Sequence, residues 1–96
     1  MIMSNQEQKN VSFCLPKQFN ITMVDSIYHQ LESILSNASE ITLDGADVEK
    51  TDSTAIQLLV CLKKHTQDNN QTLKLINLPE IVSKTAKQLG LQQLIQ

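Results

Sequence analysis

Apolar and polar residues alternate in three short segments of the chain. Residues 11–15, 40–43 and 72–76 carry valine, isoleucine, leucine or phenylalanine at every second position. A period of two places these side chains on one face of a strand, because successive side chains of a strand point to opposite faces. Pro16 ends the first segment, since proline cannot donate a hydrogen bond to a neighbouring strand. The pattern predicts three strands.

Three longer segments repeat apolar residues at intervals of three and four, which is the spacing of one face of a helix. The first covers residues 22–36 and includes Tyr28 in its apolar stripe. The second, residues 55–66, is apolar almost all round, which predicts a helix buried on most sides. The third starts near Pro79 and ends at Gly90, and its stripe is formed by Ile81, Val82, Ala86 and Leu89.

The starts of the first two helices carry side chains that can accept hydrogen bonds from unpaired backbone amides. For the first helix these are Asn20 and Thr22, and Asp25 is expected in the first turn, where the helix dipole favours an anion. For the second helix the candidate caps are Asp52, Ser53 and Thr54.

Strands and helices therefore alternate along the whole chain. This order is typical of an α/β protein in which helices cover a largely parallel sheet. The 41% hydrophobic content is sufficient for one core, and a chain of 96 residues is too short for a second core. We expect a single domain over residues 11–96, preceded by a flexible tail over residues 1–10.

Charge and composition exclude several classes of partner. The formal net charge is −2, the eight basic residues are dispersed, and the chain has one tyrosine, two phenylalanines and no tryptophan. Nucleic-acid binding proteins usually carry a basic stripe or stacking aromatic residues, so no nucleic-acid partner is expected. No apolar run reaches the roughly 18 residues of a membrane helix, and the polar N-terminus does not resemble a signal peptide. We expect a cytoplasmic protein that does not insert into a membrane.

Cysteine and acidic residues give no prediction of a metal or cofactor. Cys14 and Cys61 are far apart in sequence, and in a reducing cytosol both are expected to be buried thiols. An acidic run lacks the central glycine and terminal glutamate of a calcium loop, so it is interpreted as a solvated acidic face. Its members are Asp44, Asp47, Glu49 and Asp52.

No recognisable catalytic group emerges from the sequence. His29 and His65 stand alone on predicted helices, without further ligands at the spacing that zinc requires. Ser26 lies one turn from His29, but no oxyanion loop or orienting acid accompanies them. The only glycines are Gly45 and Gly90, so a glycine-rich phosphate loop cannot form. We expect a protein that is not an enzyme and carries no cofactor.

The most informative segment covers residues 50–56, where the three polar residues 52–54 directly precede the apolar residues of the second helix. The first amides of a helix point outward unpaired, and together with the helix dipole they favour an anion at that position. A phosphate on Ser53 would lie close to these amides and would make the surrounding surface more negative.

At these residues the chain resembles the STAS family, named for sulfate transporters and anti-sigma factor antagonists. The resemblance consists of a hydrophobic strand ending at Asp44, the motif Asp-Ser-Thr-Ala-Ile over residues 52–56, and a hydrophobic helix directly after it. The strand over residues 73–77 and the ending over residues 87–91 also resemble the family. Ala55 stands where glycine is commoner, and one strand of the usual opening hairpin is either missing or formed by residues 3–8.

The resemblance implies a mixed, largely parallel sheet of four or five strands, with helices mainly on one face. In anti-sigma factor antagonists the serine or threonine after the aspartate is phosphorylated by a partner kinase, which implies Ser53 here, with Thr54 as the second candidate. The implied partner-binding residues are Asp52, Ser53, Thr54, Ala55, Ile56 and Gln57.

Three functions follow as hypotheses. The first is a partner-switching module whose partner is a serine kinase resembling an anti-sigma factor, or a chemotaxis protein, with phosphorylation of Ser53 as the switch. The second is a constitutive STAS subunit of a phospholipid-transport ABC complex, bound to its ATPase subunit, in which Ser53 is only a contact residue. The third, a small enzyme, would require titratable groups that converge in a pocket, and the sequence shows none.

Overall fold

The computed structural model describes residues 10–36 and 38–95. Its elements alternate in the predicted order, with two short strands in addition. They are β1 (Asn10–Cys14), β2 (Gln18–Phe19), α1 (Ile21–Leu35), β3 (Glu40–Asp44), β4 (Lys50–Thr51), α2 (Ser53–Asp68), β5 (Thr72–Ile76), α3 (Glu80–Gln88) and a 3-10 turn (Gln92–Leu94). The predicted tail falls on residues 1–9, which lie outside the described residues, and on Asn10, which begins β1. The alternative strand over residues 3–8 also lies outside them.

The main sheet has three parallel strands in the order β1, β3, β5. Val11 lies opposite Ile41, and Ile41 lies opposite Leu73. Because side chains alternate between faces, this register collects most apolar residues of the three strands on one face, whereas Cys14 and Ile76 lie on the other. The three α-helices of the described residues share one core with that face, so the predicted α/β class with helices mainly on one face is confirmed.

Two further strands, β2 and β4, form a separate parallel ladder of two residue pairs, in which Gln18 lies opposite Lys50 and Phe19 opposite Thr51. The hydrophobic pattern did not predict this ladder, because two residues are too few to show a period. Phe19 is completely buried, so the ladder is tied into the core. The expected four or five strands are five, divided between two ladders, and every strand pair among the described residues is parallel.

The core lies between the main sheet and α2. On α2 the buried side chains follow the helical period, with Ile56, Leu59 and Leu62 at its centre. Gln57 and Cys61 form an exposed stripe on the opposite side of this helix. The expectation that α2 is buried on most sides is therefore confirmed, because the sheet, α1 and α3 surround it and leave one face in solvent.

Both cysteines are exposed, so the prediction of two buried thiols is wrong. Cys14 lies on β1 among the side chains that point away from the helices, and Cys61 lies on the exposed stripe of α2. Tyr28 is 44% exposed and does not belong to the buried stripe of α1. Because α1 begins at Ile21, Asp25 lies beyond the first turn, where it was expected.

The third helix matches its predicted ends. Pro79 occupies its N-cap position and Gly90 follows its C-cap with φ of +73°, the left-handed conformation that glycine adopts without strain. Val82 and Ala86 are buried, whereas Ile81 and Leu89 of the predicted stripe are each 39% exposed. A helix of nine residues thus packs through a narrower stripe than its sequence pattern suggested.

Candidate functional site

Asp52 joins the starts of the two longest helices. One carboxylate oxygen, Oδ1, accepts a hydrogen bond of 3.0 Å from the Ala55 amide and so caps α2. The other oxygen, Oδ2, accepts a hydrogen bond of 3.0 Å from the Ile21 amide, the first residue of α1. Each oxygen therefore satisfies an amide that would otherwise lack a partner at a helix start.

The β2–β4 ladder explains why one side chain reaches both helices. Phe19 and Thr51 are paired, and each is followed directly by the N-cap residue of a helix, Asn20 and Asp52. Because the two strands are parallel, the two helices start side by side at one end of the molecule. Asn20 caps its own helix, with Oδ1 accepting a hydrogen bond of 3.2 Å from the Thr22 amide. Asp52 adds a second tie to the same helix.

The Ser53 hydroxyl stabilises neither helix within the part of the chain that the structure describes. It is the first residue of α2, it is exposed, and its hydroxyl forms no hydrogen bond within residues 10–36 and 38–95. Of the three candidate caps, Asp52 supplies the cap, so Ser53 is not one. Thr54 is partly buried beside it. An exposed hydroxyl without partners is accessible to another protein.

The remaining predicted partner-binding residues lie on two different faces of α2, one buried and one exposed. Ala55 and Ile56 are completely buried, so their side chains belong to the core and not to the surface. Gln57 is exposed one turn after Ser53, on the same side of α2. The surface at this end of α2 is therefore formed by Ser53 and Gln57, with Asp52 and Thr54 partly exposed.

Ile21 adds an apolar group to this surface that sequence reasoning missed. Its side chain is 62% exposed, the largest exposed fraction among the large apolar side chains that the structure describes. Its amide donates a hydrogen bond to Asp52, so Ile21 lies next to the motif although it precedes Asp52 by 31 positions in the chain. No sequence signal identifies it, because the residue stands outside the apolar stripe of α1.

Two carboxylates of the acidic run hold the backbone instead of facing solvent freely. Asp44 Oδ1 accepts hydrogen bonds of 2.9 Å from the Ala46 amide and 3.2 Å from Asn77 Nδ2. Asp52 caps the two helices. Within residues 10–36 and 38–95, no group of three or more histidine, cysteine, aspartate or glutamate side chains could hold a metal ion.

Ser26 and His29 are not brought together. Ser26 Oγ accepts a hydrogen bond of 3.2 Å from Gln30 Nε2. His29 lies between two carboxylates, 3.7 Å from Asp25 and 3.8 Å from Glu32, in an exposed position. His65 is exposed near the end of α2.

A cleft of about 490 Å³ lies along β5. Lys63 and Lys74 line it together with apolar residues of β5 and with Ile95. None of residues 52–57 contributes to its walls. Among the residues that the structure describes, no helix has both the length and the apolar character needed to cross a membrane.

The comparisons with known proteins agree with this fold. A family model described as "Mlab, STAS domain" matches residues 18–96. The crystal structure of a sulfate transporter family protein from Wolinella succinogenes superimposes with a TM-score of 0.75, over 98% of this chain and 80% of that one, at 12% sequence identity. The likeness to that structure is one of fold. No curated protein matches. Because the family model covers most of the residues, including β2, β4 and the Asp-Ser-Thr motif, the chain belongs to the STAS domain family.

Proposed function

We propose that this protein is a non-enzymatic interaction module that binds a partner protein through the exposed surface at the start of α2, and that phosphorylation of Ser53 controls the binding. The partner in this proposal is a signalling protein of the anti-sigma factor or chemotaxis type. Family membership supports a role in protein–protein interaction, and the phosphorylation switch is the finer part of the proposal.

One observation carries the proposal. Ser53 is exposed and forms no hydrogen bond among the described residues, while its neighbour Asp52 does the structural work of capping α2. A kinase can therefore reach the hydroxyl without breaking a contact of the fold. Around it, Gln57 offers a polar group and Ile21 an apolar one, the mixture typical of a small protein interface.

A phosphate on Ser53 would change this surface strongly. It adds a charge of about −1.5 to −2 next to Asp52, where the surface already carries a carboxylate. An unpaired charge that becomes desolvated in an interface weakens binding by about 2 to 5 kcal/mol. Such a change corresponds to a factor of roughly 30 or more in affinity, which is sufficient for a switch.

The second candidate is a permanent adaptor subunit of a phospholipid-transport ABC complex, bound to the ATPase subunit. The description of the matching family model, "Mlab, STAS domain", favours this candidate. In that case the same surface binds the ATPase, and Ser53 is a contact residue that is never modified.

A pull-down from the native cell extract with paired baits separates the two candidates. The baits are wild type, Ser53→Asp, and Ser83→Asp as a control that places the same charge on an exposed residue of α3. A partner retained by wild type and Ser83→Asp but lost with Ser53→Asp supports the switch once mass spectrometry identifies it as a kinase or chemotaxis protein. An ATPase retained by all three baits supports the adaptor, and a partner lost equally with both variants contradicts a site at Ser53.

A further inference from the structure

We infer that the Asp52 carboxylate couples Ser53 to the start of α1: a negative charge on Ser53 draws the carboxylate away from the Ile21 amide and loosens the first turn of that helix. The inference rests on the proposed function, because it describes how modification of Ser53 reaches a second part of the same surface. It concerns a contact within this chain and does not depend on which partner binds.

The coupling follows from the division of work between the two carboxylate oxygens. Oδ1 holds the Ala55 amide and Oδ2 holds the Ile21 amide, each at 3.0 Å. The side chain therefore has a single orientation in which it serves both helices. Any force that rotates or displaces it must lengthen at least one of the two hydrogen bonds.

The two bonds differ in their surroundings. The bond to Ala55 is partly buried, whereas the bond to Ile21 is exposed. Water competes more effectively for an exposed hydrogen bond, so the bond to Ile21 is the weaker of the two. Ala55 is also only three residues from Asp52, so its amide stays close by however the carboxylate turns. When the carboxylate is displaced, the bond to Ile21 breaks first.

A charge on Ser53 supplies the displacing force. Ser53 follows Asp52 directly, so a phosphate or an aspartate there lies within a few ångströms of the carboxylate and repels it. The new anion also competes for the amides at the start of α2, which favour negative charge. Both effects act against the present position of the Asp52 side chain.

The consequence appears at Ile21. Asn20 continues to cap α1 through the Thr22 amide, so the helix as a whole remains. Its first residue loses the tie that holds it next to the motif, and the apolar side chain that is 62% exposed there is no longer held in one position. Modification of Ser53 would thus disorder the apolar part of the docking surface as well as change the charge of its polar part.

Amide hydrogen exchange of the isolated, isotope-labelled protein tests the coupling by NMR. Loss of a hydrogen bond to a charged group corresponds to about a tenfold or greater rise in exchange rate. We expect such a rise at Ile21 in Ser53→Asp and in Asp52→Asn, and no rise in Gln57→Glu, which places a charge one turn further along the exposed side of α2.

The double variant Asp52→Asn with Ser53→Asp shows whether the effect passes through Asp52. If it does, Ile21 exchanges no faster in the double variant than in Asp52→Asn alone, because the bond is already lost. Either of two results would overturn the inference. One is an increase in the Ile21 exchange rate in the double variant that equals the product of the two single increases, and the other is an unchanged Ile21 rate in Ser53→Asp. The exchange measurement uses the isolated protein, so it tests the coupling separately from partner binding. If Ser53→Asp loses its partner in the pull-down but leaves the Ile21 exchange rate unchanged, the proposed function stands and the coupling is rejected.

Discussion

Replacing Asp52 with alanine is expected to destabilise the protein more than the loss of an ordinary helix cap. Removal of one N-cap side chain costs about 1 kcal/mol, within a range of roughly 0.5 to 2. Asp52 provides two such bonds, to Ala55 and to Ile21, and both are strengthened by its charge at the positive ends of the helix dipoles. We expect a loss of about 2 to 3 kcal/mol for Asp52→Ala.

Asn20→Ala is the matched control, because Asn20 caps one helix only. Its expected cost is about 1 kcal/mol. Urea denaturation followed by circular dichroism gives both values through linear extrapolation, and an unchanged slope would show that the unfolded states are comparable. For a domain of this size, the difference between the two variants corresponds to a gap of about 5 to 15 °C in Tm. Equal stabilities of Asp52→Ala and Asn20→Ala would refute the view that Asp52 supports two helices.

Three further outcomes follow from burial and backbone conformation. Phe19→Ala should lower the free energy of unfolding by about 3 to 5 kcal/mol, because the ring is completely buried. A loss below about 1 kcal/mol in the same denaturation assay would show that the β2–β4 ladder does not pack into the core. Gly90→Ala should cost about 1 to 2 kcal/mol because φ is +73°, although no described residue other than the two chain neighbours has an atom within 4 Å of the added methyl group. An unchanged denaturation midpoint would argue against the left-handed conformation at the end of α3. Cys14 and Cys61 should both react with an aromatic disulfide reagent in the absence of denaturant, and reaction of one thiol or none would contradict their exposure.

The alternation of strands and helices could be predicted because each long element repeats its pattern several times. The alternation over residues 72–76 predicts β5, and the glycine typical of a helix C-terminus predicts the end of α3 at Gly90. The β2–β4 ladder could not be, because a strand of two residues contains no period and its pairing partner is distant in the chain. The exposure of Cys61 and Tyr28 depends on how closely neighbouring helices pack, which no local pattern specifies.

The candidate site was predicted in position but not in its internal arrangement. That Ala55 and Ile56 face the core could have been derived, since they share a helical face with Leu59. The role of Asp52 as the cap was one of three alternatives that local sequence leaves open. Its bond to Ile21 was beyond prediction, because it joins residues 31 positions apart through a ladder that the pattern did not show.

The ladder also sets where the chain can tolerate changes of length. Ala46 and Asp47 are exposed between β3 and β4, so an extra residue there can bulge into solvent. An extra residue between Thr51 and Asp52 would move the carboxylate by about 3.3 Å along the strand and turn it to the other side. The carboxylate would then reach neither helix start. Among natural variants of this chain, insertions and deletions should accumulate at residues 46–47 and avoid the single step from each short strand into its helix.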